Sequence, residues 1–389
     1  MKAVVVIDGE HYVSVVRDAL ATLPYEVVGV YLAGGTEKLR GGEEYGVPRV
    51  DDFEGAEIVV DLSDEPVLGP RERFRLASRV LAGGIPYVGA DFRFDPPAFE
   101  PFPLPSLAVI GTGKRVGKTA VTGHVARTLA RDREVVVVAM GRGGPAEPEV
   151  IEARPTLESL LELSRDGRHA ASDHLETAAL AGVVTIGCRR AGGGLAGAVT
   201  DSNVAEGARL AADRDPDLVI FDGSGAAIPP VAVDRRILVV GPGQDATAYL
   251  NAYRVLISDL VVVLGDGDVD PIRALKDVPV IRIDLRLRPV EPLRGRRVAV
   301  FTAGPAETGH LDAEVVAAST SLANRANLRQ DLARVEAEVY LVELKAAAID
   351  VVAEAAAARG VELVLAANDV VSPELDAELE RLVPAGSPA

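Results

Sequence analysis

The sequence predicts an α/β protein: a doubly wound parallel sheet carrying a phosphate-binding loop (P-loop), preceded by a small Rossmann-like α/β domain. Three observations predict it. Short valine-rich runs alternate with stretches of helical spacing, the signature of βαβ units. The stretch Gly111-Thr112-Gly113-Lys114-Arg115-Val116-Gly117-Lys118-Thr119 joins one such run to one such helix. Between Asp95 and Pro105, five prolines in eleven residues separate a first α/β pattern from a second.

In the first pattern, residues 3–7 read as a strand, and Asp8-Gly9-Glu10-His11-Tyr12 is a polar loop at its carboxyl end. Val13, Val16, Leu20 and Leu23 follow at helical spacing. Residues 27–32 form a second strand, ending at Gly34-Gly35, and residues 58–60 a third, ending at Asp61. A helix over 74–81 precedes Pro86-Tyr87-Val88. This alternation predicts a domain over residues 1–95, with ligands at the carboxyl ends of its strands. Asp8, Glu10 and His11 are therefore candidate substrate contacts, although a lone loop histidine is more often neither shuttle nor ligand. Residues 96–105 cannot be helix or central strand, and read as a stiff linker.

The second pattern opens at residue 106. Leu107 to Ile110 is a buried strand, and Val121, Val125 and Leu129 lie on one helix face. Glycines between them let consecutive backbone N–H groups turn around phosphate oxygens, and the helix N-terminus adds partial positive charge. Gly111, Thr112, Gly113, Lys114, Arg115, Val116, Gly117, Lys118 and Thr119 are thus candidates for binding ATP. Lys118 reaches its β- and γ-phosphates and Thr119 ligates Mg²⁺. The common pattern has glycine at position 112, where this chain has threonine. Gly-Thr-x-x-x-Val-Gly-Lys-Thr resembles the loop of dethiobiotin synthetase, a P-loop ligase.

Residues 134–140 contain four consecutive valines, a fully buried strand, and end in Gly141-Arg142-Gly143-Gly144-Pro145. Helical patterns cover 157–163 and 173–181, and an apolar run spans 183–186. The glycine segment 187–197 then carries Arg189, Arg190, Gly192, Gly193 and Gly194. Residues 218–221 form a strand closed by Asp222-Gly223-Ser224-Gly225. Further strands are expected at 237–240, 260–264, 278–283 and 298–301, with helices at 247–256 and 271–276, giving a P-loop domain over 106–304. Beyond it lies a C-terminal α/β extension over 305–389. Its features are an apolar run at 339–342, an alanine-rich helix at 346–359, a strand at 361–366 and a frayed tail from Pro384.

Asp222 ends a buried strand, where P-loop proteins place a second carboxylate near Mg²⁺; the alternative is an aspartate capping its own turn. Arg142, Arg189 and Arg190 stand beside glycines, so guanidinium forks meet a ligand that comes close to the backbone; most arginines are merely solvated. Lys114 and Arg115 either touch the transferred phosphoryl group or a neighbouring subunit's nucleotide, or face solvent. Cys188, the chain's one cysteine, reads as a packing residue and leaves no internal disulfide, which fits a reducing cytoplasm.

The 389 residues carry 58 acidic against 41 basic side chains, a net charge of −17. That argues against nucleic-acid and anionic-membrane binding, and makes local clusters of arginine significant. No apolar run approaches the roughly 18 residues of a membrane helix, and the N-terminus lacks the features of a signal peptide. A cytoplasmic location is expected.

The segments Ile-Asp-Gly-Glu-His-Tyr (7–12), the P-loop (111–119), Met-Gly-Arg-Gly-Gly-Pro (140–145), Ser-Asp-His-Leu-Glu (172–176), Ile-Gly-Cys-Arg-Arg-Ala-Gly-Gly-Gly-Leu-Ala-Gly (186–197) and Ser-Asn-Val-Ala-Glu-Gly-Ala (202–208) together resemble the cyclic 2,3-diphosphoglycerate synthetases. The arginine–glycine segment is the most specific of these, and the resemblance extends to about residue 265. It implies ATP-dependent ring closure of 2,3-diphosphoglycerate with release of ADP and phosphate, with Mg²⁺, in a homodimer. Lys118, Arg142, Arg189, Arg190 and Asp222 would then carry catalysis. The alternatives are a dethiobiotin-type ligase acting on another small anion, or a non-enzymatic ATP switch of the partition type.

Overall fold

The computed structural model describes residues 1–35, 39–165, 172–344 and 349–383. The N-terminal unit is built from β1 (Lys2–Ile7), α1 (Val13–Thr22), β2 (Glu26–Leu32), β3 (Ile58–Asp61), α2 (Pro70–Ala82), β4 (Tyr87–Val88) and β5 (Arg93–Phe94). Its sheet runs β2-β1-β3-β4-β5, parallel except for the β4–β5 pair. Because β1 is covered on both faces, it reads as an unbroken apolar run. Ala3, Val5 and Ile7 pack with Val16 and Leu20 of α1, while Val4 and Val6 pack with Leu76 and Val80 of α2.

Residues 96–105 are extended, as their prolines require, but they are docked rather than free-running. The Phe99 ring lies 4.9 Å below the Arg236 guanidinium, and Phe102 meets Phe221 edge-on at 5.1 Å. Glu100 also pairs with Val231 in a one-residue bridge. The three apolar side chains Phe99, Phe102 and Leu104 joined the following core, which outweighs the reach of a spacer.

The central sheet begins with β6 (Ser106–Gly111), followed by α3 (Lys118–Leu129), β7 (Val135–Gly141), β8 (Glu149–Ile151), α4 (Leu157–Arg165), α5 (Asp173–Ala181), β9 (Val184–Ala191), β10 (Asp201–Ser202) and α6 (Val204–Ala212). After these come β11 (Leu218–Asp222), β12 (Arg235–Val240), α7 (Asn251–Leu256), β13 (Leu260–Leu264), α8 (Asp270–Leu275) and β14 (Val280–Pro289). The strand order is β10-β9-β7-β11-β6-β12-β13-β14, with β8 also on β9. Leu107 and Val109 of β6 face α3, whereas Ala108 and Ile110 face the side of α6 and α7. Helices on both faces make the sheet doubly wound, as expected.

The chain ends with β15 (Arg297–Phe301), β16 (Glu314–Ser319), α9 (Arg325–Ala333), β17 (Val339–Glu343), α10 (Ile349–Arg359), β18 (Glu362–Val371) and α11 (Pro373–Leu382). These strands continue the central sheet as β14-β18-β17-β15-β16. Here β14 departs from expectation. It runs on past Ile283 because its second half, Asp284 to Pro289, pairs antiparallel with β18. The expected division at residue 304 consequently falls between β15 and β16, which are paired neighbours. The helix expected over 247–256 is shorter, since Asp245 accepts from the amide and hydroxyl of Thr247 and holds a turn there. The tail from 384, and residues 346–348 of the alanine-rich helix, lie outside the described residues. Among the described residues no helix is long and apolar enough to cross a membrane.

Candidate active site

The P-loop is built where β6 gives way to α3 at the centre of the sheet. Gly117 caps α3 with φ +80°, and a Cβ there would lie 2.4 Å from Leu264 Cδ2, so only glycine fits. A Cβ at Gly111 would approach the Gly225 carbonyl to 3.1 Å. Thr112, in place of the usual glycine, donates its amide to Val239 O at 3.1 Å, and its hydroxyl meets the Gln244 side chain. The threonine thus ties the loop to the end of β12.

Lys118 Nζ donates to Asp222 Oδ1 at 2.6 Å, and Thr122 Oγ1 donates to the same oxygen at 2.7 Å. Asp222 reaches this position because β11 pairs with both β6 and β7. It is fully buried, and burial pushes its carboxyl above the usual range against the opposing pull of Lys118. Its second oxygen is buried with no partner among the described residues. An orphaned oxygen on a carboxylate bonded to Lys118, the neighbour in sequence of the cavity-lining Thr119, has the chemistry of a divalent-cation ligand. No cage of three or more His, Cys, Asp or Glu side chains gathers among the described residues. Mg²⁺ in phosphoryl transfer needs none, being held by one or two carboxylates and the phosphates themselves.

The cations come from three separate segments. An added Cβ at Gly225 would lie 3.4 Å from Arg142 Nη2, 3.7 Å from Lys114 Cγ and 3.9 Å from Arg190 Nη2. Arg190 donates from Nη2 to Ser224 O at 2.9 Å and also reaches Gly192 O. Burial, then the neighbouring Arg142 charge, lower the Arg190 pKa against the smaller opposing pull of Asp173. The glycine segment expected over 187–197 begins instead as strand, because Gly187 to Arg189 pair with β7 and Arg190 with Ser202 of β10. Strand alternation therefore turns neighbouring side chains to opposite faces. Arg189 is exposed and outside the cavity lining; its amide binds Asn203 Oδ1. Gly192, Gly193 and Gly194 form the turn after β9 and also lie outside that lining.

A cavity of about 730 Å³ takes in Lys114, Arg142 and Lys118, while Arg190 and Asp222 stand outside its lining. Its floor is the P-loop from Gly113 to Thr119, with Lys114 and Arg115 included, and one wall is Arg142 with Ser224 and Gly225. The N-terminus of α5 adds Asp173, His174 and Glu176, to which the sequence reading assigned no role. Asp173 Oδ2 stands 3.7 Å from an added Cβ on Gly141, and its charge acts on both Arg190 and Asp222. The signal was the Ser-Asp pair heading a helical pattern. The opposite wall, equally unforeseen, comes from the C-terminal part: Leu285, Leu287, Thr302, Ala303, Glu343 and Asn368. Glu343 is held there by the Ala303 amide at 2.8 Å and by the Asn368 side chain.

Asp8, Glu10 and His11 are not brought to this cavity, whose lining includes nothing before Gly113. Asp8 is fully buried and accepts from the amides of Glu10, His11 and Asp64 at 2.9, 3.2 and 2.7 Å, and it pairs with His11 Nδ1 at 2.8 Å. Burial alone would raise its carboxyl, but the Asp64 amide and His11 prevail and hold it low. The N-terminal unit instead meets the central domain through α2 on α7, with Phe74 and Tyr249 at 5.6 Å and Arg71 to Asp245 at 3.6 Å. Cys188 is the packing residue expected. It is buried against Gly207, and burial pushes its thiol up to about 12.

Residues 2–95, 106–276 and 289–369 match, in order, the N-terminal, P-loop and C-terminal domains of the family described as cyclic 2,3-diphosphoglycerate synthetase. A relative of that name from Rubrobacter xylanophilus is 49% identical, covering 98% of this chain and 97% of its own. Another, from Thermococcus kodakarensis, is 42% identical over 95% of this chain and 94% of its own. Among solved structures, LpxK from Aquifex aeolicus in complex with ATP aligns at TM-score 0.43 and 16% identity, over 74% of this chain and 90% of that one. That likeness is too loose to bear on the site.

Proposed function

The chain belongs to the cyclic 2,3-diphosphoglycerate synthetase family, and on that premise we propose that it is an ATP-dependent ligase that closes 2,3-diphosphoglycerate into its cyclic phosphoanhydride, releasing ADP and phosphate. The observation that carries this is the meeting of Lys114, Arg142 and Arg190 over Gly225, beside a P-loop whose lysine touches a buried aspartate. A chain of net charge −17 keeps such a cluster only for a strongly anionic ligand.

Ring closure divides into two displacements. An oxygen of one substrate phosphate attacks the γ-phosphorus in line, and the bond to the β-phosphate oxygen breaks with its electrons leaving on ADP. An oxygen of the second substrate phosphate then attacks the first substrate phosphorus, forming the ring P–O–P link and expelling inorganic phosphate. Lys118 neutralises charge on the β- and γ-phosphates, leaving Asp222 as it does so. Arg142 and Arg190 hold two mutually repelling phosphates within bonding reach. Thr119 and Asp222, with Asp173 close by, would hold Mg²⁺, which when bound neutralises developing phosphoryl charge. Since the cations lie on the β7 and β9 side of the P-loop, the nucleoside extends the other way, along Leu264, Leu285 and Leu287.

Phosphorus NMR of the purified protein with ATP and 2,3-diphosphoglycerate tests the proposal. Cyclic product, ADP and phosphate are expected in equal amounts. Lys118→Ala is expected to lose roughly 10²–10³ in rate while keeping its circular dichroism spectrum. ATP turnover without any cyclic product would sink the proposal.

A further inference from the structure

Arg254 of α7 is 1% exposed, the largest side chain buried to that degree. Among the described residues it has no carboxylate partner. Its guanidinium is satisfied by oxygens of neutral groups instead. Nε and Nη2 donate to Ala226 O at 3.1 and 2.6 Å, and Nη1 donates to Leu195 O and Leu250 O at 3.1 Å and to Asn251 Oδ1 at 3.2 Å. Burial lowers its pKa to about 10, so it remains a cation at neutral pH. A buried charge with no counter-charge is costly, and a neutral side chain would hold these carbonyls at less expense.

The two distant carbonyls belong to the loops that follow Arg190 and Gly225. Leu195 lies in the turn that follows Arg190, and Ala226 follows Gly225, over which the cations meet. The loops are also joined to each other, by Ile228 N to Gly197 O at 2.8 Å and by Arg190 Nη2 to Ser224 O at 2.9 Å. Arg254 therefore pins to one helix both of the segments that present Arg190 and Gly225. Its own charge, with no carboxylate partner among the described residues, is thus bonded directly to both loops.

We infer that Arg254 is a positioning residue for the phosphate-bearing substrate: it sets the 190–197 and 224–227 loops in register and supports the anion site with an unneutralised buried charge. This rests on the functional reading above and goes one step beyond it.

The test compares wild type, Arg254→Gln and Arg254→Lys by calorimetry, with 2,3-diphosphoglycerate and ATP as separate titrants, alongside melting temperature. The Gln variant is expected to bind 2,3-diphosphoglycerate at least tenfold more weakly and ATP within twofold of wild type, and the Lys variant to recover part of the loss. Combining Arg254→Gln with Arg190→Ala is expected to cost less than the two singles added together. Loss of both ligands in step with melting temperature, unchanged substrate binding, or strict additivity would each overturn the inference. Should the Gln variant not fold, the Lys variant alone decides, through selective against uniform loss. Wild type that fails to bind 2,3-diphosphoglycerate would refute the functional reading instead. The same variants titrated with inorganic pyrophosphate would still decide the role of Arg254.

Discussion

Arg189 and Arg190 are consecutive in sequence, and the pleat of β9 turns one guanidinium to Ser224 O and leaves the other exposed. Charge and glycine context are identical for the two, so nothing local distinguishes them. Arg190→Ala is expected to weaken 2,3-diphosphoglycerate binding by about 1.5–3 kcal/mol, roughly 10- to 150-fold, as for a charge-assisted contact. Arg189→Ala is expected to stay within about 0.5 kcal/mol of wild type. Calorimetry on the two single variants separates them, and equal losses would mean that strand pairing through Ala191 does not persist when substrate binds. Lys118 and Asp222 differ from this pair, because the P-loop spacing and the strand-ending position already pointed to them.

At the scale of elements, the strand–loop–helix unit around residues 106–129 was legible because every determinant lies within about two dozen residues. Gly117 carries that unit, with its left-handed φ and with Leu264 of β13, two strands away from β6, closing the space where a Cβ would go. Gly117→Ala is expected to cost about 1–3 kcal/mol in backbone strain and to weaken ATP binding more than tenfold while the protein stays folded. Fluorescence titration with an ATP analogue, paired with circular dichroism, checks it; unaltered affinity would mean that the loop does not hold the phosphates. β16, α9 and α11 went unread for different reasons. β16 is only partly buried, and its ladder with β15 supplies what its sequence pattern lacks. α11 had a readable start, with Ser372 accepting from Leu375 N and Pro373 in the first turn. Its apolar Leu375 and Leu379 then pack on α3, through which His124 reaches Asp376 at 2.7 Å.

At the scale of the molecule, the C-terminal part contributes to the cavity lining, while the N-terminal unit contributes nothing to it and meets the central domain through α2. α2 packs on α7, and α7 carries Arg254, whose bonds run to Leu195 O and Ala226 O in the loops that follow Arg190 and Gly225. A chain beginning at Pro96 keeps Phe99, Phe102 and Leu104 on the central core and is expected to fold and bind ATP. Without α2 to support α7, it is expected to make little cyclic product and to hydrolyse ATP unproductively. Phosphorus NMR of that reaction is the measurement, and normal cyclisation would assign residues 1–95 to another task.

The sequence by itself determined the fold class and the nucleotide loop, and it pointed to an anion site. Each rests on short-range patterns: alternation of two periods, glycines at fixed offsets, and arginines standing out against acidic composition. Which way Arg189 and Arg190 turn, which units line the cavity and what becomes of Asp8 were decided only in three dimensions. Those outcomes depend on pairings across the sheet: β9 with β10, β14 with a strand some eighty residues later, and the Asp8 carboxylate with the amide of Asp64. A side chain's direction and a backbone donor's reach are properties of neighbours brought together by folding, and no local spacing encodes them.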